Sequence, residues 1–144
     1  QAAQSGIYVV VAAGNDGGPV AYPAMSQGAI AVSATTQGDT LARFSNYGLK
    51  IAIAAPGENI MSSLPMNSNC MVCQGRSEKG ALSGTSMATP CVSGCIALML
   101  GAGNKTLKSD PTNNPAQFGQ GIVNCLESVT KTSAFKEAQK YMRQ

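Results

Sequence analysis

The sequence predicts an α/β protein built on a parallel sheet, and three observations carry that expectation. Residues 7–13 form an unalternating, β-branched apolar run that ends in Gly14-Asn15-Asp16-Gly17-Gly18. Two more short apolar runs follow, at 29–34 and 51–55. From Thr85 the apolar spacing then changes to a helical one. Strands buried on both faces lose the alternation of polar and apolar residues, as in parallel sheets.

Each element has its own signal. The first run breaks into a glycine-rich loop of the kind that follows a buried strand. The second and third are bounded by turn chemistry at Tyr22-Pro23-Ala24, Ser45-Asn46-Tyr47-Gly48 and Ala55-Pro56-Gly57. Residues 60–64 read as a short extended segment. Over 85–100, Ala88, Val92, Ile96 and Met99 or Leu100 recur at helical spacing, and Cys91, Cys95, Ala97 and Leu98 fill the other sides. Almost no charge falls on any face, so this helix is predicted to be buried all round. Pro90 lies in its first turns, where a lost amide costs less, and Gly101 and Gly103 end it. Residues 104–117 are polar with two prolines and read as a surface loop, and Asn104-Lys105-Thr106 is a weak glycosylation sequon. Residues 119–123 turn back into a short buried piece. Asn124 is then placed to cap a helix, with Glu127 three positions on. The segment to Gln144 is amphipathic around Phe135, Ala138 and Met142.

A parallel sheet needs helices over both faces. One buried helix and one amphipathic tail are on offer, with no helix between the first two strands. The expectation is a part of a layered structure whose remaining strands and covering helices are missing. Gln1 is not an initiator methionine, so the chain is read as starting inside something longer, and missing targeting signals carry little weight.

Composition bounds the rest. The 144 residues, 44% of them apolar, suit one domain (1–144) with a sizeable core. The net charge of +3 is spread out, thickening only near Lys131, Lys136, Lys140 and Arg143, which argues against a nucleic-acid surface. No apolar run nears the roughly 18–20 residues of a membrane span. Five cysteines leave at least one unpaired or paired elsewhere. Cys70-Met71-Val72-Cys73 is one CxxC in a polar stretch. With no second such motif and no histidine, a four-ligand zinc site is not expected, and no metal ligands are assigned. A disulfide involving Cys70 or Cys73 fits a secreted protein better, while Cys91 and Cys95 read as small buried apolar residues.

Two candidates for chemistry remain. Ser86 sits at a helix start inside Gly84-Thr85-Ser86-Met87-Ala88, where free amides and the helix dipole favour developing negative charge. A serine is a poor nucleophile without a base and oxyanion donors, and the chain has no histidine. Taken alone, Thr85 or Ser86 reads better as a plain helix cap. Asn15 follows a buried strand and could present its amide as an oxyanion donor, or could simply be a turn residue. A phosphate loop at 14–18 lacks both the glycine spacing and a following helix.

Val11-Ala12-Ala13-Gly14-Asn15, Tyr22-Pro23-Ala24, Phe44-Ser45-Asn46-Tyr47-Gly48, Ala54-Ala55-Pro56-Gly57 and Gly84-Thr85-Ser86-Met87-Ala88-Thr89-Pro90 resemble the subtilisin-like serine proteases, in that family's order and at similar spacing. Gly119-Gln120-Gly121-Ile122-Val123-Asn124 is similar to the family's closing glycine motif. The match runs from about 7 to 126, leaving 127–144 as a C-terminal helical tail. The resemblance implies a three-layer α/β/α fold of which the N-terminal half is missing, and it favours the nucleophile reading of Ser86 over the cap. By it, Ser86 attacks the scissile carbonyl, and the Ser86 amide and the Asn15 side chain hold the oxyanion. Ala12, Gly14 and Ala21 match positions lining the pocket for the side chain before the cleaved bond, which implies a roomy, uncharged floor. It also implies a polypeptide substrate, secretion, and calcium in the parent, at loops that no residue here matches.

The departures bear on function. The family's triad runs Asp, His, Ser along the chain, so both partners belong upstream of the first strand. Asp16, Asp39 and Asp110 fall outside the expected motif, and Cys91 replaces a non-catalytic histidine common among relatives. The expectation is a serine endopeptidase of which this is the C-terminal half of the catalytic domain, inactive alone. The rival is a catalytically dead, peptide-binding remnant, and a third reading is a purely structural α/β domain.

Overall fold

The computed structural model of the chain describes residues 1–64 and 79–130. The CxxC at 70–73 and, of the helical tail expected over 127–144, residues 131–144 lie outside the described residues. The elements, in chain order, are β1 (Val9–Ala12), β2 (Ala29–Thr35), β3 (Ile51–Pro56), β4 (Ile60–Ser63), β5 (Lys79–Leu82), α1 (Thr85–Gly101), β6 (Ser109–Asp110), α2 (Pro115–Phe118), β7 (Ile122–Val123) and α3 (Cys125–Thr130). Five strands form one sheet in the order β1-β2-β3-β7-β6. The first four of these run parallel, and β6 is antiparallel to β7. β4 and β5 make a separate antiparallel pair. The predicted parallel α/β architecture is what the chain adopts.

β2 lies inside the sheet, and Ala31 to Thr35 are all buried. β1 differs from expectation. It begins at Val9, leaves Ile7 and Tyr8 exposed, and its four residues are only half-buried. The reason is position: among the described residues it is an edge strand, with a neighbour on one side alone.

α1 covers one face of the sheet. Ala88, Val92, Ile96 and Met99 pack on Val32, Ala34, Ile53 and Ala55. The small residues let helix and sheet approach closely. A Cβ at Gly57 would lie 2.6 Å from the Ala34 Cβ and 2.8 Å from the Gly84 carbonyl oxygen, closer than real Cβ contacts come. The expectation that α1 is buried all round is corrected: Leu98 is 61% exposed and Leu100 45%, and Ser93, Gly94 and Ala97 are exposed too. No described element lies over that side.

The opposite face is covered without a long helix. Ala13, Val20 and Ala24, from the connection between β1 and β2, pack on Ala31 and Ile51. Ser33 Oγ donates to the Gln117 carbonyl at 2.6 Å, fastening α2 to β2. β5, β6 and α2 are absent from the sequence reading because they are short and polar, and the predicted loop over 104–117 contains both β6 and the start of α2. Asn124 caps α3 as expected, its Oδ1 accepting from the Glu127 amide at 2.9 Å. The Asn124 amide, however, donates to the Lys108 carbonyl at 2.9 Å, so the reciprocal half of the capping box is replaced by a tertiary bond. No helix of the described residues is long and apolar enough to cross a membrane.

Candidate active site

The site forms where the carboxyl end of β1 meets the start of α1. Gly14 leaves the strand with φ +112°, a conformation that glycine adopts without steric cost, and its amide donates to Thr85 Oγ1 at 3.2 Å. Asn15 Oδ1 then accepts two bonds, from the Thr85 amide at 2.8 Å and from the Thr85 hydroxyl at 2.9 Å. These bonds orient the Asn15 amide. Its oxygen is occupied, so the Nδ2 end is the one left to donate outward. Nδ2 lies beside Gly84, where a Cβ would be 3.4 Å from it.

Ser86 is the second residue of α1 and is exposed. Its Oγ makes no hydrogen bond to a described residue. The amides of Met87 and Ala88 both turn back to the Gly84 carbonyl, at 2.9 Å and 3.3 Å, and the Thr85 amide is taken by Asn15. The Ser86 amide, one of the first-turn donors that a helix cannot satisfy internally, has no described acceptor. The cap reading of Thr85 and Ser86 is therefore corrected. The N-cap is Gly84 with no side-chain cap bond, and the capping oxygen comes from Asn15, 70 residues away in the chain.

Asn46 was missed as a site residue. It is buried, and its side chain holds the loop that presents Asn15: Oδ1 accepts from the Asp16 amide at 2.8 Å and the Gly18 amide at 3.2 Å, and Nδ2 donates to the Ala13 carbonyl at 3.2 Å. Its backbone amide adds a bond to the Gly14 carbonyl at 2.9 Å. Nothing local in Ser45-Asn46-Tyr47 announces this, since every partner lies about 30 positions earlier.

The remaining sequence candidates sort by place. Gly14 and Ala21 come together: the Ala21 amide donates to the Ala13 carbonyl at 2.9 Å, and a Cβ at Gly14 would sit 3.4 Å from the Ala21 Cβ. Ala12 is the last residue of β1, paired with Val32. Asp110 bonds the Asn124 amide group at 2.8 Å on β6, and no aspartate is bonded to Ser86. Cys91, one turn beyond the serine, directs its thiol at the Met87 carbonyl, 3.5 Å away, and burial pushes its pKa up. Among the described residues no group of three or more His, Cys, Asp or Glu side chains is placed to hold a metal ion.

Comparison with known proteins identifies the family. The Subtilase family model matches residues 1–141. Alkaline elastase YaB of Bacillus sp. (strain YaB) is 39% identical over 142 residues, covering 91% of this chain and 35% of that protein. Halolysin of Haloferax mediterranei is 46% identical over 133 residues, covering 85% of this chain and 24% of that protein. Subtilisin Savinase of Lederbergia lenta is 43% identical over 135 residues, covering 93% of this chain and 44% of that protein. The chain thus spans less than half the length of these curated relatives. In fold it is similar to the crystal structure of a lanthipeptide protease, with a TM-score of 0.77 at 19% identity, covering 90% of this chain and 52% of that one. It is also similar to an epidermin leader peptide processing serine protease from Staphylococcus aureus, with a TM-score of 0.74 at 22% identity, covering 89% and 41%. On the family match, the chain belongs to the subtilase family.

Proposed function

We propose that this chain supplies the nucleophile and the oxyanion hole of a subtilisin-like serine endopeptidase. The observation that carries the reading is the pair of donors left open at the start of α1. Thr85 occupies Asn15 Oδ1 and so turns Nδ2 outward, while the Ser86 amide has no described acceptor. Ser86 Oγ attacks the scissile carbonyl, and the carbonyl oxygen, now negative, is held by these two donors and by the positive end of the helix dipole. The acyl-enzyme on Ser86 is then hydrolysed by water.

The base is the missing part. The chain contains no histidine, so the proton on Ser86 Oγ has to pass to a histidine, oriented by an aspartate, from residues outside this sequence. The chain alone is then inactive as a triad enzyme. Gly14, Ala21 and Ala12 form a small, uncharged floor that favours large apolar side chains before the cleaved bond. A peptide-library profile dominated by charged side chains at that position would overturn this specificity. Secretion is supported by relatives such as the halolysin-like extracellular serine protease Nep of Natrialba magadii.

Fluorophosphonate labelling of native source material, read by intact mass and peptide mapping, tests the proposal. Label on Ser86 in a species much heavier than this chain, abolished by Ser86→Ala, is the expected result. An unlabelled species of the chain's own mass would favour the alternative that the absence of histidine raises, a peptide-binding remnant without turnover.

A further inference from the structure

Asn104-Lys105-Thr106 is the single Asn-X-Ser/Thr triplet of the chain, and the serine chemistry makes no use of it. Such a triplet is an N-glycan acceptor when X is not proline and the segment is an accessible surface loop. Chance produces many, so the surroundings decide. The triplet follows the closing turn of α1 and precedes β6, in a stretch with neither helix nor strand. Lys105 and Thr106 are exposed. The Thr106 hydroxyl bonds no described residue.

Asn104 is half-buried and held in place. Its backbone amide returns to the Met99 carbonyl at 3.0 Å, and its Nδ2 donates to the Ser128 carbonyl on α3 at 2.7 Å. A carbonyl accepts only from the nitrogen end of the side-chain amide, so Ser128 sets which way that amide faces. The bond takes one amide hydrogen and leaves the other to be replaced. Beside it lies a surface depression of about 210 Å³, lined by Asn104, Lys105, Thr106, Lys108, Glu127 and Ser128. Every lining side chain is polar or charged. An apolar group gains nothing there, whereas sugar hydroxyls accept from the lysines and donate to Glu127.

We propose that Asn104 is the acceptor of an N-linked glycan, carried where the end of α1 meets α3. The donor is an oligosaccharide joined through pyrophosphate to a membrane lipid, and a membrane-bound transferase supplies the base. Nδ2 of Asn104 attacks the anomeric carbon of the first sugar. The nitrogen–carbon bond forms as the bond from that carbon to the pyrophosphate oxygen breaks. The lipid pyrophosphate leaves with the electron pair, and one Nδ2 proton passes to the base. The modified amide keeps its second hydrogen, so attachment does not use up the donor that Ser128 needs. The position also leaves the chemistry clear. Asn104 lies beyond the end of a 17-residue helix whose second residue is Ser86, which puts the glycan roughly 25 Å from the serine along the axis.

The inference rests on the secretion proposed above, because the transferase meets chains entering a secretory compartment. An added signal makes the test independent of how the native protein is exported, and no protease activity is needed. The full chain is expressed behind a cleavable secretory signal in a eukaryotic host and recovered from cells and medium together. It is then treated with peptide N-glycosidase in heavy-oxygen water and mapped by mass spectrometry. The expected result is a glycan on most copies, with heavy oxygen incorporated at position 104 alone and a gel shift that the glycosidase removes. Thr106→Ala should lose the glycan completely while leaving Asn104 and its bond to Ser128 in place, and Thr106→Ser should keep it in part. Asn104 found unmodified in the unsubstituted chain, or a glycan that survives Thr106→Ala, would overturn the inference.

Discussion

At its C-terminal end α1 closes on itself. The Gly103 amide returns to the Leu100 carbonyl at 2.9 Å, the Asn104 amide returns to Met99 at 3.0 Å, and Gly103 takes the left-handed conformation that this closure needs. At its N-terminal end nothing local does the same work. Gly84 offers no side chain, and the capping oxygen comes from Asn15 on another element. The difference has a chemical consequence. An N-cap serine, threonine or aspartate accepts from the second or third amide of its own helix. Here the third is already bonded to Gly84, so such a cap would take the Ser86 amide. A cap supplied by Asn15 fixes the helix start yet leaves that donor open.

The largest effect expected from this comparison separates the two jobs of Asn15. Asn15→Asp keeps an acceptor for the Thr85 amide and hydroxyl but loses the outward donor. Turnover of the complete enzyme should fall about 10²–10³-fold, the range known for subtilases that lose such a donor, with the thermal midpoint held. Asn15→Ala should show the same kinetic loss and also lose about 1 kcal/mol of stability. Equal stability loss in both variants would break the claim that Asn15 caps α1.

Next comes Asn46. Asn46→Ala leaves the amides of Asp16 and Gly18 without their partner and removes one of the two donors to the Ala13 carbonyl, which keeps the Ala21 amide. Denaturant unfolding should show a loss of about 2–4 kcal/mol, accompanied by slower labelling of Ser86 as the Asn15 loop loosens. Full labelling rate in the folded fraction would show that Asn46 holds the sheet edge only, and not the site.

The two ends also explain what could be read from the chain. Gly101 and Gly103 announce their helix end because every partner lies within a few residues, and Asn124 with Glu127 does so for α3. At the other end the local pattern pointed to Thr85 or Ser86 as the cap and left Asn15 open between an oxyanion donor and a turn residue. Its real partner is 70 positions away, and only the resemblance of the surrounding motifs paired it with Ser86. Asn46 stood in a predicted turn and in one of those motifs, but its hold on the Asn15 loop was not legible for the same reason. The parallel sheet was legible because burial on both faces removes the alternation of polar and apolar residues along a strand. β6, two residues long, has no room for a pattern. The exposed side of α1 was misread because an apolar helix face looks the same whether or not something covers it.

Gly84→Ser probes the open donor directly. Gly84 has φ 161°, which is extended backbone open to any residue, and a Cβ there meets Asn15 Nδ2 and the Met87 sulfur only at ordinary contact distances of 3.4 and 3.5 Å. The new hydroxyl should cap the helix and leave stability level or a few tenths of a kcal/mol higher. By drawing on the Ser86 amide it should lower turnover about tenfold or more. A variant that is more stable and equally fast would show that the amide is not used.

The smallest effect belongs to Gly103→Ala. No atom lies within 4 Å of a Cβ at this position, so the change makes no clash, and its cost is the left-handed backbone at φ +76° alone. That cost is about 1 kcal/mol, read as a lower thermal midpoint. Ser86 lies most of a 17-residue helix away, roughly 20–25 Å along the axis, and shares no hydrogen bond with the closing turn. Its labelling rate should not change. A parallel fall in labelling would mean that fraying at one end reaches the other, and that α1 is one cooperative unit in which a local closure supports a site held by distant partners.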